Sequence, residues 1–376
     1  MKKLFLSLAV LSAVFTSCGD DDSNTTEPIA EAADLTGTIS ANLTLNEETV
    51  YTLRGPVYVE NGVTLTIPAG TRIEGYAEAD ATAVAFLAVK AGGKIVAQGT
   101  AADPIIFTSS KAQPAPGDWG GIVVCGNAVT NLGTNVQAEV TGLTYGGTNP
   151  ADNSGILSYI RLEYAGALIN PEAEFNGFTF YGVGSGTTVN NLLAYQGSDD
   201  GFEWFGGSVG GNNLISIGNQ DDSFDWTEGW NGTVSNLYSN QAPALAFSSD
   251  SRGIEADNNS NNATLAPISN PTLSNITLIG RNNAAVTSEA GIMLRRGTYA
   301  TISNVYIADF KGATGSFGIN FNGNESGAYF TLHPLSNINI NNVTATSNLP
   351  VAYTAGTSTG AGNGAALPSW TSWAGL

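Results

Sequence analysis

Short apolar runs, broken by turn residues, follow one another along the chain from Leu35 onward. Residues 57–59, 63–67, 86–89 and 94–97 are four such runs, and Pro68-Ala69-Gly70 is one of the turns between them. Runs of this length that are rich in β-branched and aromatic residues and bounded by Gly, Pro or Asn predict β-strands. We therefore predict an all-β domain over residues 35–376.

The middle of the chain repeats one pattern. Six short segments read Gly or Ser, apolar, any residue, apolar, and they begin at Gly177, Gly201, Ser223, Gly253, Gly291 and Gly318. A second predicted strand follows each of them. Repeats of about 20–50 residues predict a solenoid, in which each unit stacks its apolar face on its neighbours. Because side chains alternate along a strand, the third residue of each segment is expected to face outward.

An asparagine recurs in each second strand, just before an apolar residue: Asn191, Asn213, Asn236, Asn275, Asn304 and Asn337. Asparagine tolerates a left-handed backbone, and its amide can hydrogen-bond a copy of itself one coil away. The repeat therefore predicts a stacked, structural asparagine ladder at a turn.

Composition and charge exclude several classes of function. The 376 residues carry a formal net charge of -19, which argues against nucleic acid or an anionic membrane surface as a direct partner. His333 is the only histidine, which excludes a multi-His zinc site and argues against a His-based triad. Cys125 lies in an apolar run and is predicted to be a core residue, without a disulfide framework.

The N-terminus predicts export. Lys2-Lys3 and a short apolar run over residues 4–14 are typical of a secretory signal peptide, residues 1–17. Phe15-Thr16-Ser17-Cys18 resembles a bacterial lipobox, which implies lipidation of Cys18; a plain secreted protein is the alternative. The acidic run over residues 19–23 resembles the surface-export signal of Bacteroidetes lipoproteins. Residues 18–34 are then a polar tether, and the resemblance implies a lipid-anchored outer-membrane protein displayed at the cell surface.

The apolar pattern also has a known likeness. Residues 63–75, 92–109 and 118–124 resemble the opening coils of bacterial right-handed parallel β-helices. The resemblance implies that the solenoid over residues 35–376 is a right-handed parallel β-helix. The C-terminal residues 367–373 are predicted to cap its open end, although Trp370 and Trp373 are also candidates for stacking on sugar rings.

An acidic motif occurs twice, one repeat apart. Asp199-Asp200-Gly201-Phe202-Glu203-Trp204 returns as Asp221-Asp222-Ser223-Phe224-Asp225-Trp226. Stacked coils would bring these like charges together, which is unfavourable unless they share a cation or bind protons. Three interpretations follow: a Ca²⁺ site built from oxygen ligands, the acid and base of an inverting glycosidase, or a solvated acidic face.

This motif resembles the calcium-binding signature of family-nine pectate lyases, which are also β-helices. The resemblance implies Ca²⁺ as cofactor, with Asp200, Asp221, Asp222 and Asp225 as its ligands. Those lyases abstract a proton with a lysine, and no lysine occurs within two coils after Asp225. Arg252 is the nearest basic residue in the next coil and the candidate base, unless it pairs with Asp250, Glu255 or Asp257.

Residues beside the motif are candidates for ligand contact. Phe205 and Trp230 are predicted to offer a stacking surface for sugars and Glu203 to face outward. Arg295 is either a contact for a polyanion or a solvent-facing charge at a strand end. We therefore predict a surface lipoprotein whose β-helix binds Ca²⁺ and an extracellular polysaccharide or another surface component. The alternatives are a Ca²⁺-dependent polysaccharide lyase or a glycoside hydrolase, or a purely structural envelope protein. An enzyme predicts a deep groove with a basic residue, and a binder predicts a shallow, aromatic-lined face.

Overall fold

The computed structural model describes residues 31–244, 246–249, 251–286, 289–313 and 315–376. The predicted signal peptide, Cys18, most of the tether and Asp250 lie outside these ranges. Residues 31–34, which the sequence assigned to the tether, are part of the first strand. No helix in the described ranges has the length and apolar character needed to cross a membrane.

The described ranges form strands and few helices. In chain order the elements are β1 (Glu31–Ile39), β2 (Leu43–Thr44), β3 (Thr49–Val59), β4 (Thr64–Ile67), β5 (Arg72–Gly75), β6 (Phe86–Val89), β7 (Lys94–Gln98), β8 (Ile105–Ser109), β9 (Ile122–Cys125), β10 (Val136–Gln137), β11 (Thr144–Tyr145), β12 (Gly155–Glu163), β13 (Leu168–Asn170), β14 (Ala173–Glu174), β15 (Phe178–Tyr181), β16 (Thr188–Tyr195), β17 (Phe202–Phe205), β18 (Gly211–Ile217), β19 (Phe224–Thr227), β20 (Thr233–Asn240), β21 (Arg252–Ala256), β22 (Thr272–Ile279), β23 (Ala290–Arg295), β24 (Thr301–Ala308), β25 (Phe317–Asn322), α1 (Asn324–Leu332), β26 (Leu335–Asn341), a 3₁₀-helix (Pro350–Ala352), β27 (Tyr353–Ala355) and a second 3₁₀-helix (Ser369–Ala374).

Two kinds of strand alternate from β15 onward. The short strands β15, β17, β19, β21, β23 and β25 pair in parallel, each with the next. The longer strands β16, β18, β20, β22, β24 and β26 do the same. A strand therefore lies beside the equivalent strand of the next coil, and 23 strands share one continuous sheet. The molecule is a right-handed parallel β-helix, which confirms the predicted fold.

Aromatic side chains fill the interior of the middle coils. Phe178, Phe202 and Phe224 stack in successive coils with ring centroids 5.1 and 5.5 Å apart. Trp204 and Trp226 follow the same inward alternation and are buried. Cys125 is a buried free thiol, and burial raises its pKa to about 12, as a core position requires.

The asparagine ladder forms as predicted. Five of the six side-chain amides donate to the side-chain carbonyl oxygen of the asparagine one coil before, over distances of 2.8–3.3 Å, and Asn191 begins the ladder as an acceptor. All six residues have a φ between 52° and 58°, the left-handed region that asparagine tolerates. The ladder satisfies polar groups at a bend that every coil must make.

Replacing Asn275 with alanine tests this ladder. The amide of Asn275 donates to Asn236, its carbonyl oxygen accepts from Asn304, and its φ is 58°. We expect a loss of about 2 kcal/mol in the free energy of unfolding, from two hydrogen bonds and the left-handed backbone. Asn275→Gly is expected to recover about half of it, because glycine adopts this φ freely. Equal losses for both variants in urea titrations would contradict a backbone contribution.

The C-terminal residues lie where the sequence did not place them. The 3₁₀-helix Ser369–Ala374 packs Trp373 against Leu193, Ile215 and Tyr238 of the middle strands. The predicted cap over the open end is therefore wrong. The segment covers an apolar row on the side of the solenoid, and Trp373 is buried, so this side chain has no free face for a sugar ring.

Candidate functional site: an acidic cleft

The short strands build an acidic ladder from Glu203, Asp225 and Glu255. Glu203 lies opposite Asp225 in the parallel register, and Asp225 lies opposite Glu255 in the next coil. Their apolar neighbours point inward, as Trp204 and Trp226 show. The predicted outward alternation is confirmed, and it places three carboxylates in one row about 4.8 Å apart.

Four carboxylates occupy the turns before this ladder: Asp199, Asp200, Asp221 and Asp222. Asp200 accepts the backbone N–H of Asp222 through Oδ1 at 2.8 Å. Asp222 in turn accepts the backbone N–H of Arg252 in the following coil. Asp200 and Asp222 thus each tie their turn to the next coil with one oxygen, which restricts where the second oxygen can point.

The carboxylates converge in two overlapping groups. Asp200, Asp222 and Asp225 each offer an oxygen, and these oxygens lie within 4.8 Å of one another. Asp199, Asp200 and Asp221 form a second group by the same measure. The four predicted ligands are therefore close together, but Asp221 belongs to the second group. Asp199 was not assigned as a ligand, although its place in the repeated pair, equivalent to Asp221, is the signal that would have found it.

A cleft of about 580 Å³ opens over these carboxylates. Two excursions from the solenoid border it: the turn between β10 and β11 contributes Glu139, and the hairpin of β13 and β14 contributes Glu172 and Glu174. Ten of the fourteen lining residues are acidic, and none of the described lining residues is basic or aromatic. The sequence did not predict these walls, because nothing local links the two excursions to the acidic motif.

Burial and mutual repulsion raise the pKa values of the carboxyl groups in the cleft. Burial, and then the charges of Asp199 and Asp222, raise the pKa of Asp200 well above its usual value. Burial and Asp222 do the same to the pKa of Asp225, and burial and Asp225 to the pKa of Glu203. Oδ1 of Asp225 is buried and has no hydrogen-bond partner among the described residues. The cleft therefore needs protons or a cation at neutral pH.

Two arginines pair with Glu255 at one end of the ladder. Arg252 is 5% exposed, and its Nε lies 3.2 Å from Glu255 Oε1, one of the pairings that the sequence predicted. Arg252 does not line the cleft. The geometry therefore disfavours Arg252 as a base that meets a substrate.

Arg295 is engaged in the same way. Its guanidinium contacts Glu255 and lies 2.7 Å from Asp257 Oδ1, while Arg296 lies 2.6 Å from Asp257 Oδ2. Burial raises the pKa of Asp257 to about 6 in spite of these partners. Arg295 balances internal charge and is not presented to a polyanion in the cleft.

The predicted stacking surface is absent. Phe205 is 6% exposed, and its ring centroid lies 4.3 Å from that of Tyr181. Trp230 is fully buried, and its ring centroid lies 4.6 Å from that of Trp204. Both residues fill space under the excursions and in the core, so the prediction that they contact a ligand is wrong. Glu203 does line the cleft, where it accepts a hydrogen bond of 2.6 Å from the Asn176 amide.

Glu228 holds β11, which follows the turn that contributes Glu139 to the cleft, through a hydrogen bond to Tyr145. Its Oε2 accepts the Tyr145 hydroxyl at 2.6 Å, and burial raises the pKa of Glu228 from 4.5 to about 7. The folded state then holds a proton that the unfolded chain releases, so stability falls as the pH rises from about 4.5 to 7. Glu228→Gln keeps the acceptor and is expected to stabilise the protein by about 2 kcal/mol at pH 8. Urea titrations at pH 8 and 4.5 check this, and an equal gain at both would contradict it.

Comparisons with known proteins add the following. A family model described as a pectate-lyase-like β-helix domain matches residues 37–374. No curated protein matches the chain. Among solved structures, the A-module of mannuronan C-5 epimerase AlgE4 from Azotobacter vinelandii is similar, with 12% identity and a TM-score of 0.28 over 87% of this chain and 90% of that chain. A similarity this weak supports no argument about activity.

Proposed function

Because the chain belongs to the pectate-lyase-like β-helix domain family, we propose that its acidic cleft binds Ca²⁺ and, through the cation, an extracellular anionic polysaccharide. The observation that supports this best is the convergence of Asp200, Asp222 and Asp225 from two adjacent coils, with oxygens within 4.8 Å of one another. Such a group has the chemistry of a hard-cation site and lacks the nitrogen or sulfur ligands that transition metals prefer.

The residues fit a bound Ca²⁺ in two respects. Ca²⁺ takes six to eight oxygen ligands at about 2.3–2.6 Å, and carboxylates from flexible and rigid positions both serve. The buried Oδ1 of Asp225 has no partner among the described residues and would gain one. A divalent charge would also favour the ionised forms of carboxyl groups whose pKa values burial now raises.

The cation would also decide which ligand the cleft accepts. Ten acidic lining residues repel a uronate polymer, whereas bound Ca²⁺ can bridge protein and sugar carboxylates. The described lining offers no aromatic face for stacking, so recognition would depend on the cation and on hydrogen bonds from sugar hydroxyls to the carboxylates. This differs from the aromatic-lined face that a glycan binder was expected to have.

A polysaccharide lyase is the less well-supported alternative. The lyases that the acidic motif resembles abstract the proton with a lysine, and no described lining residue is a lysine or an arginine, so only a carboxylate of the cleft could take that role. A glycoside hydrolase needs only a carboxyl pair, and the experiment below tests for it.

The proposal also includes a lipid on Cys18 that holds the domain at the outer membrane, on its outer surface. Metabolic palmitate labelling of the wild type and of Cys18→Ser tests the anchor.

Affinity electrophoresis through polygalacturonate and through alginate tests the proposed ligand class. We expect the wild-type domain to be retarded with Ca²⁺ and to run freely with EDTA, and Asp225→Asn to run freely in both. Asp103→Asn removes an exposed acidic group elsewhere and serves as the control. The proposal is contradicted if the wild type is still retarded in EDTA and Asp225→Asn is retarded as strongly as the wild type. Unsaturated products by ultraviolet absorbance would indicate a lyase, and new reducing ends without them a hydrolase.

A further inference from the structure

A second cleft, of about 460 Å³, lies over the longer strands and shares no lining residue with the acidic cleft. Its floor is one outward-facing row: Glu163, Tyr195, Ile217 and Asn240. These residues are direct register partners on β12, β16, β18 and β20. Three strand spacings of about 4.8 Å make the row about 14 Å long, parallel to the solenoid axis.

The C-terminal segment borders this row. The neighbouring outward row, Leu193, Ile215 and Tyr238, is covered by Trp373 and Ala374. Ile217 is buried in the same cluster and Tyr195 packs against it, whereas Tyr195, Glu163 and Asn240 stay partly exposed. Leu367 and Gly375 form one wall of the trough.

The side chains that line the trough are amphipathic and together carry little net charge. Tyr195 and Tyr164 are half-buried and meet edge to face with centroids 6.0 Å apart. Arg161 and Glu163 neutralise each other at 2.7 Å. The side-chain carbonyl oxygen of Asn240 accepts the backbone N–H of Ala242 at 3.0 Å. The side-chain amide nitrogen of Asn240 has no partner among the described residues and can donate to a ligand.

We propose that this trough binds a neutral oligosaccharide lying along the solenoid axis. Tyrosine rings offer apolar faces with a polar edge, which matches the alternation of C–H faces and hydroxyls on a pyranose chain. The Asn240 amide and the Tyr195 hydroxyl supply hydrogen bonds to those hydroxyls. The internal Arg161–Glu163 pair leaves little net charge for a polyanion, in contrast to the acidic cleft.

Saturation-transfer NMR titrations with cellohexaose, xylohexaose and mannohexaose test this site. We expect at least one of them to bind, and Tyr195→Ala to weaken its binding about tenfold. Asn240→Ala is expected to weaken it severalfold without affecting the core. Tyr76→Ala, which removes a half-buried tyrosine on the N-terminal coils, is the matched control and is expected to bind normally.

The trough does not depend on the acidic cleft, so EDTA and Asp222→Asn are expected to leave this binding unchanged. The trough can therefore fail to bind sugar while the acidic cleft still binds Ca²⁺, and the reverse, so the two proposals are tested separately. Absence of binding by all three sugars at millimolar concentration overturns the proposal, and so does binding that survives both trough variants. A self-associated wild type that Tyr195→Ala dissociates would also overturn it, because the trough would then be an interface between copies.

Discussion

Trp226→Ala is expected to lower the free energy of unfolding by about 3–5 kcal/mol, among the largest effects of any single substitution in this chain. Its side chain is fully buried and packs on Trp230 with centroids 5.6 Å apart. Its Nε1 donates to Thr298 Oγ1 at 3.0 Å. The substitution opens a cavity in a stacked core and leaves a buried hydroxyl without its donor. Urea titration followed by far-ultraviolet circular dichroism measures the loss.

A phenylalanine series separates the two contributions. Trp226→Phe keeps most of the ring and loses the hydrogen bond, so a smaller loss of about 1–2 kcal/mol is expected. The Nε1 of Trp204 is buried and has no partner among the described residues, so Trp204→Phe loses no hydrogen bond and is expected to cost less. The account of the core is contradicted if Trp204→Phe is the more damaging of the two.

Several features of this fold were predictable because they depend on local alternation. In a strand, the residue between two inward aromatics must face outward, and Glu203 between Phe202 and Trp204 does so. The recurring asparagine predicted a ladder, because one polar group at a constant place in each coil meets its own copy. In both cases the repeat period carries the long-range information that sequence patterns usually lack.

Other features depend on excursions that have no period. Glu139 and Glu174 reach the cleft from two separate hairpins, and nothing in either sequence indicates where it folds back. Phe205 follows the last inward position of its strand, so its burial depends on the residues that cover it. The side-packing of Trp373 likewise required knowing that Leu193 and Ile215 face outward and need cover. Periodic contacts were predictable, and contacts with non-repeating segments were not.

The stability of the protein is expected to depend on Ca²⁺ more strongly as the pH rises. Burial raises the pKa of Asp200, Asp222 and Asp225, so the folded state holds protons there that the unfolded chain releases. In EDTA, the melting temperature is therefore expected to fall as the pH rises from 5 to 8. Free Ca²⁺ at about 1,000 times its Kd is expected to add about 4 kcal/mol at pH 8, a rise of about 5–6 °C. Differential scanning fluorimetry at both pH values measures this.

Asp222→Asn separates the effect of Ca²⁺ binding on stability from the effect of the hydrogen bond between coils. The asparagine can still accept the Arg252 backbone N–H with its carbonyl oxygen, so the link between coils remains. Because the variant also removes one repelling charge, we expect it to melt above the wild type in EDTA at pH 8 and to respond little to Ca²⁺. Asp103→Asn, at an exposed site, is expected to respond like the wild type. If wild type and Asp222→Asn gain equally from Ca²⁺, the cation binds elsewhere, and the carboxylates of the cleft are neutralised by protons alone.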